Sequence, residues 1–136
     1  MLKVSANLKV SAKVMTTCNA TNHITDQQCT ELLTAVGDAL YVIGGKWKLR
    51  IIIALANGTK RFNELQKTLD GISARVLSGD LKELELNGFI KRNVIENGNP
   101  SVVEYELQEY SDVLKNVVFA LSDFGSTHRK KIMQKP

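Results

Sequence analysis

The stretch that most limits the fold runs from Phe62 to Arg92, FNELQKTLDGISARVLSGDLKELELNGFIKR. Phe62, Leu65 and Leu69 recur at i, i+3 and i+7, which predicts a short helix broken at Asp70-Gly71. A second helix is predicted from about Ser73 to Asn87, with Ser73 as its N-cap and Gly88 as its C-terminal signal. A short helix, a turn of about four residues and another helix have the spacing of a helix-turn-helix. After Gly88 the apolar period changes. Phe89–Ile95 and Val102–Leu107 read as two strands around Asn97-Gly98-Asn99-Pro100, with Val103, Tyr105 and Leu107 alternating. A hairpin placed directly after a helix-turn-helix is a wing.

The flanks are helical. Leu32, Val36, Ala39, Leu40 and Ile43 lie on one stripe of a helix from about Asp26 to Ile43, which Gly44-Gly45 stops. KWKLRIIIALANG is a further helix, apolar around much of its circumference and closed by Asn57-Gly58. The last helix is expected from about Ser111, with Leu114, Val117, Val118, Leu121 and Phe124 on one stripe. The fold class is therefore mainly α with a small β-hairpin wing. Residues 1–22 repeat LKVSA and carry Lys3, Lys9 and Lys13 without an acid, so they read as a flexible basic arm. Residues 23–136 read as one domain, a size that suits a single core.

Charge points to a partner. The net charge is +4 and the pI near 9.1. From Gly44 to Phe62 there are five cations (Lys46, Lys48, Arg50, Lys60 and Arg61) and no acid. Arg129, Lys130, Lys131 and Lys135 form a second acid-free run. Two such runs in a small domain favour nucleic acid. On the second helix of the pair, Leu77, Leu81 and Leu84 share one side at about 100° per residue. Arg75, Ser78, Gly79 and Lys82 share another, roughly 140° away by that spacing.

Arg75 and Lys82 suit guanine edges or phosphates, and Ser73 and Ser78 suit either. Gly79 costs about 1 kcal/mol in a helix interior relative to alanine; a bare position there lets the helix approach DNA closely. Lys60 and Arg61, expected at the start of the third helix, suit phosphate, and Lys46, at the start of the second, joins the expected DNA-binding set. Trp47, between Lys46 and Lys48, reads as a core or seam residue, with Lys48 and Arg50 solvated. Lys91 and Arg92 at the base of the wing and Asn97 and Asn99 at its tip complete the expected DNA-binding set.

Catalysis finds little support. His23 and His128 are far apart, and Cys18, His23 and Cys29 fit no strong zinc spacing. There is no phosphate-binding glycine loop or hydrolase elbow, so a protein without enzymatic activity, cofactor or metal is expected. No apolar run approaches the ~18 residues of a membrane helix, and no signal-peptide core is present. Two cysteines make no disulfide framework, which suits the cytoplasm.

Several motifs occur together and in order: Gly44-Gly45-Lys46-Trp47, Arg61-Phe62 with Leu65, Gly71-Ile72-Ser73, Leu81-Lys82-Glu83-Leu84-Glu85, Gly88-Phe89-Ile90-Lys91-Arg92 and Val103-Glu104-Tyr105. In these the chain resembles the HxlR-type winged helix-turn-helix transcriptional regulators of bacteria and archaea, over about Ala39 to Leu107. The resemblance implies a homodimer formed by the N- and C-terminal helices, with two recognition helices in successive major grooves of double-stranded DNA. Some members of that family sense oxidants or electrophiles through a cysteine shortly before the Gly-Gly-Lys-Trp motif. Cys29 is the nearest candidate redox sensor here. It lies fifteen residues before Gly44, and Thr30 stands where a proline customarily follows. The expected function is sequence-specific transcriptional regulation. The alternatives are a redox- or electrophile-sensing regulator using Cys29 and a winged-helix protein-interaction module.

Overall fold

A computed structural model describes residues 23–96 and 100–134. The arm expected over residues 1–22 and the wing-tip residues Asn97 and Asn99 lie outside the described residues. The chain divides into two compact units, residues 1–44 and 45–136. No helix among the described residues is long and apolar enough to cross a membrane.

The first unit contributes helix α1, Asp26–Ile43. Its start is fixed by a reciprocal capping box. The Gln28 backbone N–H donates to Thr25 Oγ1 at 3.2 Å, and the Thr25 N–H donates to Gln28 Oε1 at 2.9 Å. Its end is fixed by Gly44, whose N–H donates to the Leu40 carbonyl at 2.8 Å. A Cβ at position 44 would collide with that same carbonyl oxygen, so glycine is the residue that fits. Of the apolar stripe, Ile43 is buried, whereas Val36, Leu40 and their neighbours Leu33 and Tyr41 stand exposed.

The second unit opens with helix α2, Lys48–Leu55, which buries Ile51, Ile52, Ala54 and Leu55. Gly58, at φ 130°, turns the chain into a two-residue strand β1, Lys60–Arg61. Helix α3, Phe62–Thr68, and helix α4, Ala74–Leu86, follow. Gly71, at φ 92°, makes the turn between them. Ser73 caps α4: the Val76 N–H donates to Ser73 Oγ at 3.1 Å. At its other end Gly88 adopts φ 81°. Its N–H donates to the Glu85 carbonyl and the Phe89 N–H to the Leu84 carbonyl, each at 3.0 Å. That double bond pattern is a Schellman motif, and it sends the chain directly into strand β2, Ile90–Ile95.

Strand β3, Val102–Leu107, pairs antiparallel with both β2 and β1, giving the order β1-β3-β2. Ile90 lies opposite Leu107, Arg92 opposite Tyr105, and Lys60 opposite the same Tyr105. The hairpin expected from sequence is thus the larger part of a three-stranded sheet. Lys60 and Arg61 are its edge strand and not the first turn of a helix; α3 begins one residue later. The chain next makes a 3-10 helix, Glu109–Leu114, and then helix α5, Lys115–Met133. The last α-helix therefore starts four residues later than its apolar spacing suggested. Tyr110 in the 3-10 turn stacks on Phe89 with ring centroids 5.0 Å apart.

One core joins these elements. Ile51, Leu65, Leu77, Leu81, Leu84 and Ile90 are its fully buried large side chains, supplied by α2, α3, α4 and β2. Each contributes about 1.5–3 kcal/mol relative to exposure. The core anchors one side of α4 and fixes which side of that helix faces out.

Candidate nucleic-acid interface

The leucines of α4 point inward at positions 77, 81 and 84, so helical geometry turns Arg75, Ser78, Gly79 and Lys82 outward. All four are exposed, as the sequence predicts. Ser73 is exposed as well, although its Oγ is engaged in the cap. A Cβ built on Gly79 meets nothing within 4 Å. The helix itself does not require glycine at that position.

Beside α4 lies a cleft of about 390 Å³ lined by Ser78, Leu81, Lys82 and Glu85 of the helix and by Arg92 and Tyr105 of the sheet. Directly opposed residues of neighbouring strands project to the same side of a sheet. Lys60, Tyr105 and Arg92 consequently form one row across β1, β3 and β2. The cleft brings Ser78 and Lys82 together with Arg92 and Tyr105, and Lys60 extends the row of Tyr105 on the sheet. Tyr105 is the member that the sequence did not mark. Its alternation with Val103 and Leu107 showed only that one face of the strand is apolar.

The remaining expected residues are placed less centrally. Arg61 lies in the adjacent row with Glu104, its Nε 3.9 Å from that carboxylate. Its backbone N–H donates to Glu64 Oε1 at 3.4 Å, so the Glu64 carboxylate caps the start of α3 while the Arg61 guanidinium stays beside Glu104. Lys91 is exposed and paired opposite Glu106. Lys46 and Arg50 both stand over the indole of Trp47, at 5.0 and 5.2 Å from the ring centroid. Trp47 is half-buried, and its ring approaches the Gly71 turn between α3 and α4. Cys29 is half-buried on α1.

One cation departs from its sequence reading. Lys48 is buried, not solvated, and its ammonium pairs with the Glu83 carboxylate of α4. A signal was available: Lys48 shares helical spacing with Ile51, Ile52 and Leu55, the buried stripe of α2. Asp80 belongs to the same cluster. Partial burial raises its pKa above the ordinary carboxylate value; the Lys48 charge opposes that rise and the Glu83 charge adds to it.

The model of HxlR-like helix-turn-helix proteins matches residues 42–133. The chain belongs to the HxlR family. Among its relatives is the HTH-type transcriptional regulator YtcD of Bacillus subtilis, 39% identical over 98 residues that cover 72% of this chain and 77% of YtcD. An HTH-type transcriptional regulator of Methanothermobacter thermautotrophicus is 36% identical over 98 residues, covering 72% and 74% of the two chains. The crystal structure of ytcD superposes with a TM-score of 0.66 at 41% identity over 70% of this chain and 96% of that one. The redox regulator HypR in its reduced form gives a TM-score of 0.67 at 35% identity over 74% and 99%. This HxlR-type chain is therefore a helix-turn-helix transcriptional regulator with a winged fold, and α3 and α4 are its helix-turn-helix.

Proposed function

We propose that this regulator acts as a homodimer that reads a specific operator with α4 in the major groove and grips the flanking backbone with the cleft between α4 and the sheet. The observation that carries the reading is the cleft that joins Ser78 and Lys82 of α4 to Arg92 and Tyr105 of the sheet, with Arg75 and Gly79 on the same exposed face of α4 and Lys60 in the cross-strand row of Tyr105. Arg75 is assigned to a base edge, because it lies in the first turn of α4 where a recognition helix meets the groove. Lys60, Lys82, Lys91 and Arg92 are assigned to phosphates, which fix register without reading sequence. Lys46 and Arg61 are assigned outer phosphate contacts, and Asn97 and Asn99 a contact from the wing tip.

Two exposed apolar faces support the dimer. Leu33, Val36, Leu40 and Tyr41 on α1, and Val117, Leu121 and Phe124 on α5, stand open to solvent. Large exposed apolar side chains clustered on a helix mark an association surface, and a second copy suits both helices under two-fold symmetry. Residues 23–136 would then act as one DNA-binding and dimerising domain in the cytoplasm, with residues 1–22 as a basic arm. The family supports a non-enzymatic protein that needs no cofactor.

Hydroxyl-radical footprinting on bound DNA tests the whole reading. Two protected patches centred about 10 base pairs apart, or a multiple of that, are expected from paired recognition helices. A single patch would remove the dimeric mode. The likeness to HypR supports a second reading, in which Cys29 tunes binding through oxidation. Diamide that changes the affinity of the wild type and leaves Cys29→Ser unchanged is its expected mark; equal behaviour of the two removes it.

A further inference from the structure

Beyond its charged groups, the outer side of α4 carries an apolar one. Val76 is 41% exposed in the first turn of the helix, next to exposed Arg75 and on the flank of α4 away from Ser78. A β-branched residue is a poor choice for an exposed helix position on propensity alone, and this one is not part of the core. Its setting is rigid. Its own N–H is held by the Ser73 cap at 3.1 Å, and β-branching in a helix leaves one strongly preferred χ1 rotamer. Three residues further on, and so adjacent on the helix surface, Gly79 leaves open space where a side chain would start. Asp80 and Glu83 continue the line of Val76 along the helix, and Lys48 pairs with Glu83 there, so the line does not confront DNA as a bare acidic strip.

We propose that Val76 and the bare position at Gly79 form a seat for the C5-methyl group of one thymine in each operator half-site. The inference rests on the assignment of α4 to the major groove. In that groove the methyl group is what an apolar side chain can recognise, and it distinguishes thymine from every other standard base. Val76 supplies the apolar wall. Gly79 lets the base edge come close enough to reach it. Arg75, one residue before Val76, then reads a neighbouring position by hydrogen bonds. Valine and glycine thus contribute to specificity without a polar contact.

Replacing thymine by uracil removes only the methyl group and tests this directly. Duplexes are selected with the full-length protein from a randomised pool, then resynthesised with deoxyuridine at each thymine in turn. Wild type is expected to lose about fourfold in affinity at one thymine of each half-site, the worth of one methyl group withdrawn from water. Val76→Ala is expected to show a clearly smaller loss than wild type when thymine is replaced by uracil. Its site is exposed, and alanine favours the helix, so the fold is retained. A wild type indifferent to uracil everywhere, or a Val76→Ala variant that keeps the wild-type sensitivity, overturns the seat while leaving the groove assignment intact. A selection that yields no preferred sequence overturns both.

Discussion

The Lys48 ammonium, at the first residue of α2, forms an ion pair with the Glu83 carboxylate of α4. The two ends of that pair differ: the Lys48 side chain is 11% exposed and that of Glu83 58%. Removing one partner is therefore not equivalent to removing the other. Glu83→Ala strands a buried ammonium with only Asp80 to balance it, and should cost about 1–3 kcal/mol. Lys48→Met keeps the buried stem and leaves Glu83 to water, and should change stability by less than about 1 kcal/mol. Urea unfolding of the two variants checks the asymmetry. Equal losses would mean that the pair is not the reason Lys48 is buried.

Asp80 supplies a pH dependence. Its carboxyl titrates above the ordinary value because burial disfavours its charge. The folded state thus holds this proton more tightly than the unfolded state. The stability it confers is complete below the unfolded pKa and is lost as pH rises through the folded one. Asp80→Asn should accordingly melt higher than wild type at neutral pH. The gap should narrow as the pH falls through the carboxylate range. A thermal melting series from neutral to acidic pH reads it. A gap that widens on acidification would contradict the assigned direction.

Gly79 separates stability from function. Alanine at this position meets open space and improves helix propensity, so Gly79→Ala should stabilise the fold by about 0.5–1 kcal/mol. On the proposed reading it also fills the space through which the helix would approach the bases. Operator affinity should fall while melting temperature rises. Affinity equal to that of wild type would show that the glycine is merely tolerated.

The proposed function puts Arg92, in the cleft beside α4, against a phosphate. Arg92→Ala should lower affinity nearly uniformly across DNA sequences and reduce the slope of log affinity against log salt by about one unit. A sequence-dependent loss with an unchanged slope would make Arg92 a base contact.

The helix-turn-helix was legible because each of its signals is local. Ser73 is a capping residue, Leu77, Leu81 and Leu84 recur at helical spacing, and Gly88 takes the positive φ that ends α4. Strand β1 was not legible. Two residues hold no period, and Lys60 finds its partner at Tyr105, far along the chain. The row of Lys60, Tyr105 and Arg92 was hidden for the same reason: cross-strand register is decided by pairing, not by adjacency in sequence. The buried position of Lys48 could be read from its spacing with Ile51 and Ile52. Its partner Glu83 could not, since that contact depends on how α2 packs against α4. Leu40 and Phe124 mark the opposite limit. Spacing identifies an apolar stripe without revealing what covers it, and both residues are exposed.

On the proposed function α4 reads DNA sequence, with Arg75 on a base edge. Fluorescence anisotropy at physiological salt, comparing a selected duplex with a scrambled one of equal length, tests it most directly. Wild type should prefer the selected duplex by at least about 10³-fold. Arg75→Ala should lower affinity for the selected duplex by about 1–3 kcal/mol and leave the scrambled one nearly unchanged. Equal losses on both duplexes would make Arg75 a phosphate contact, and an unchanged preference would take sequence reading away from that residue.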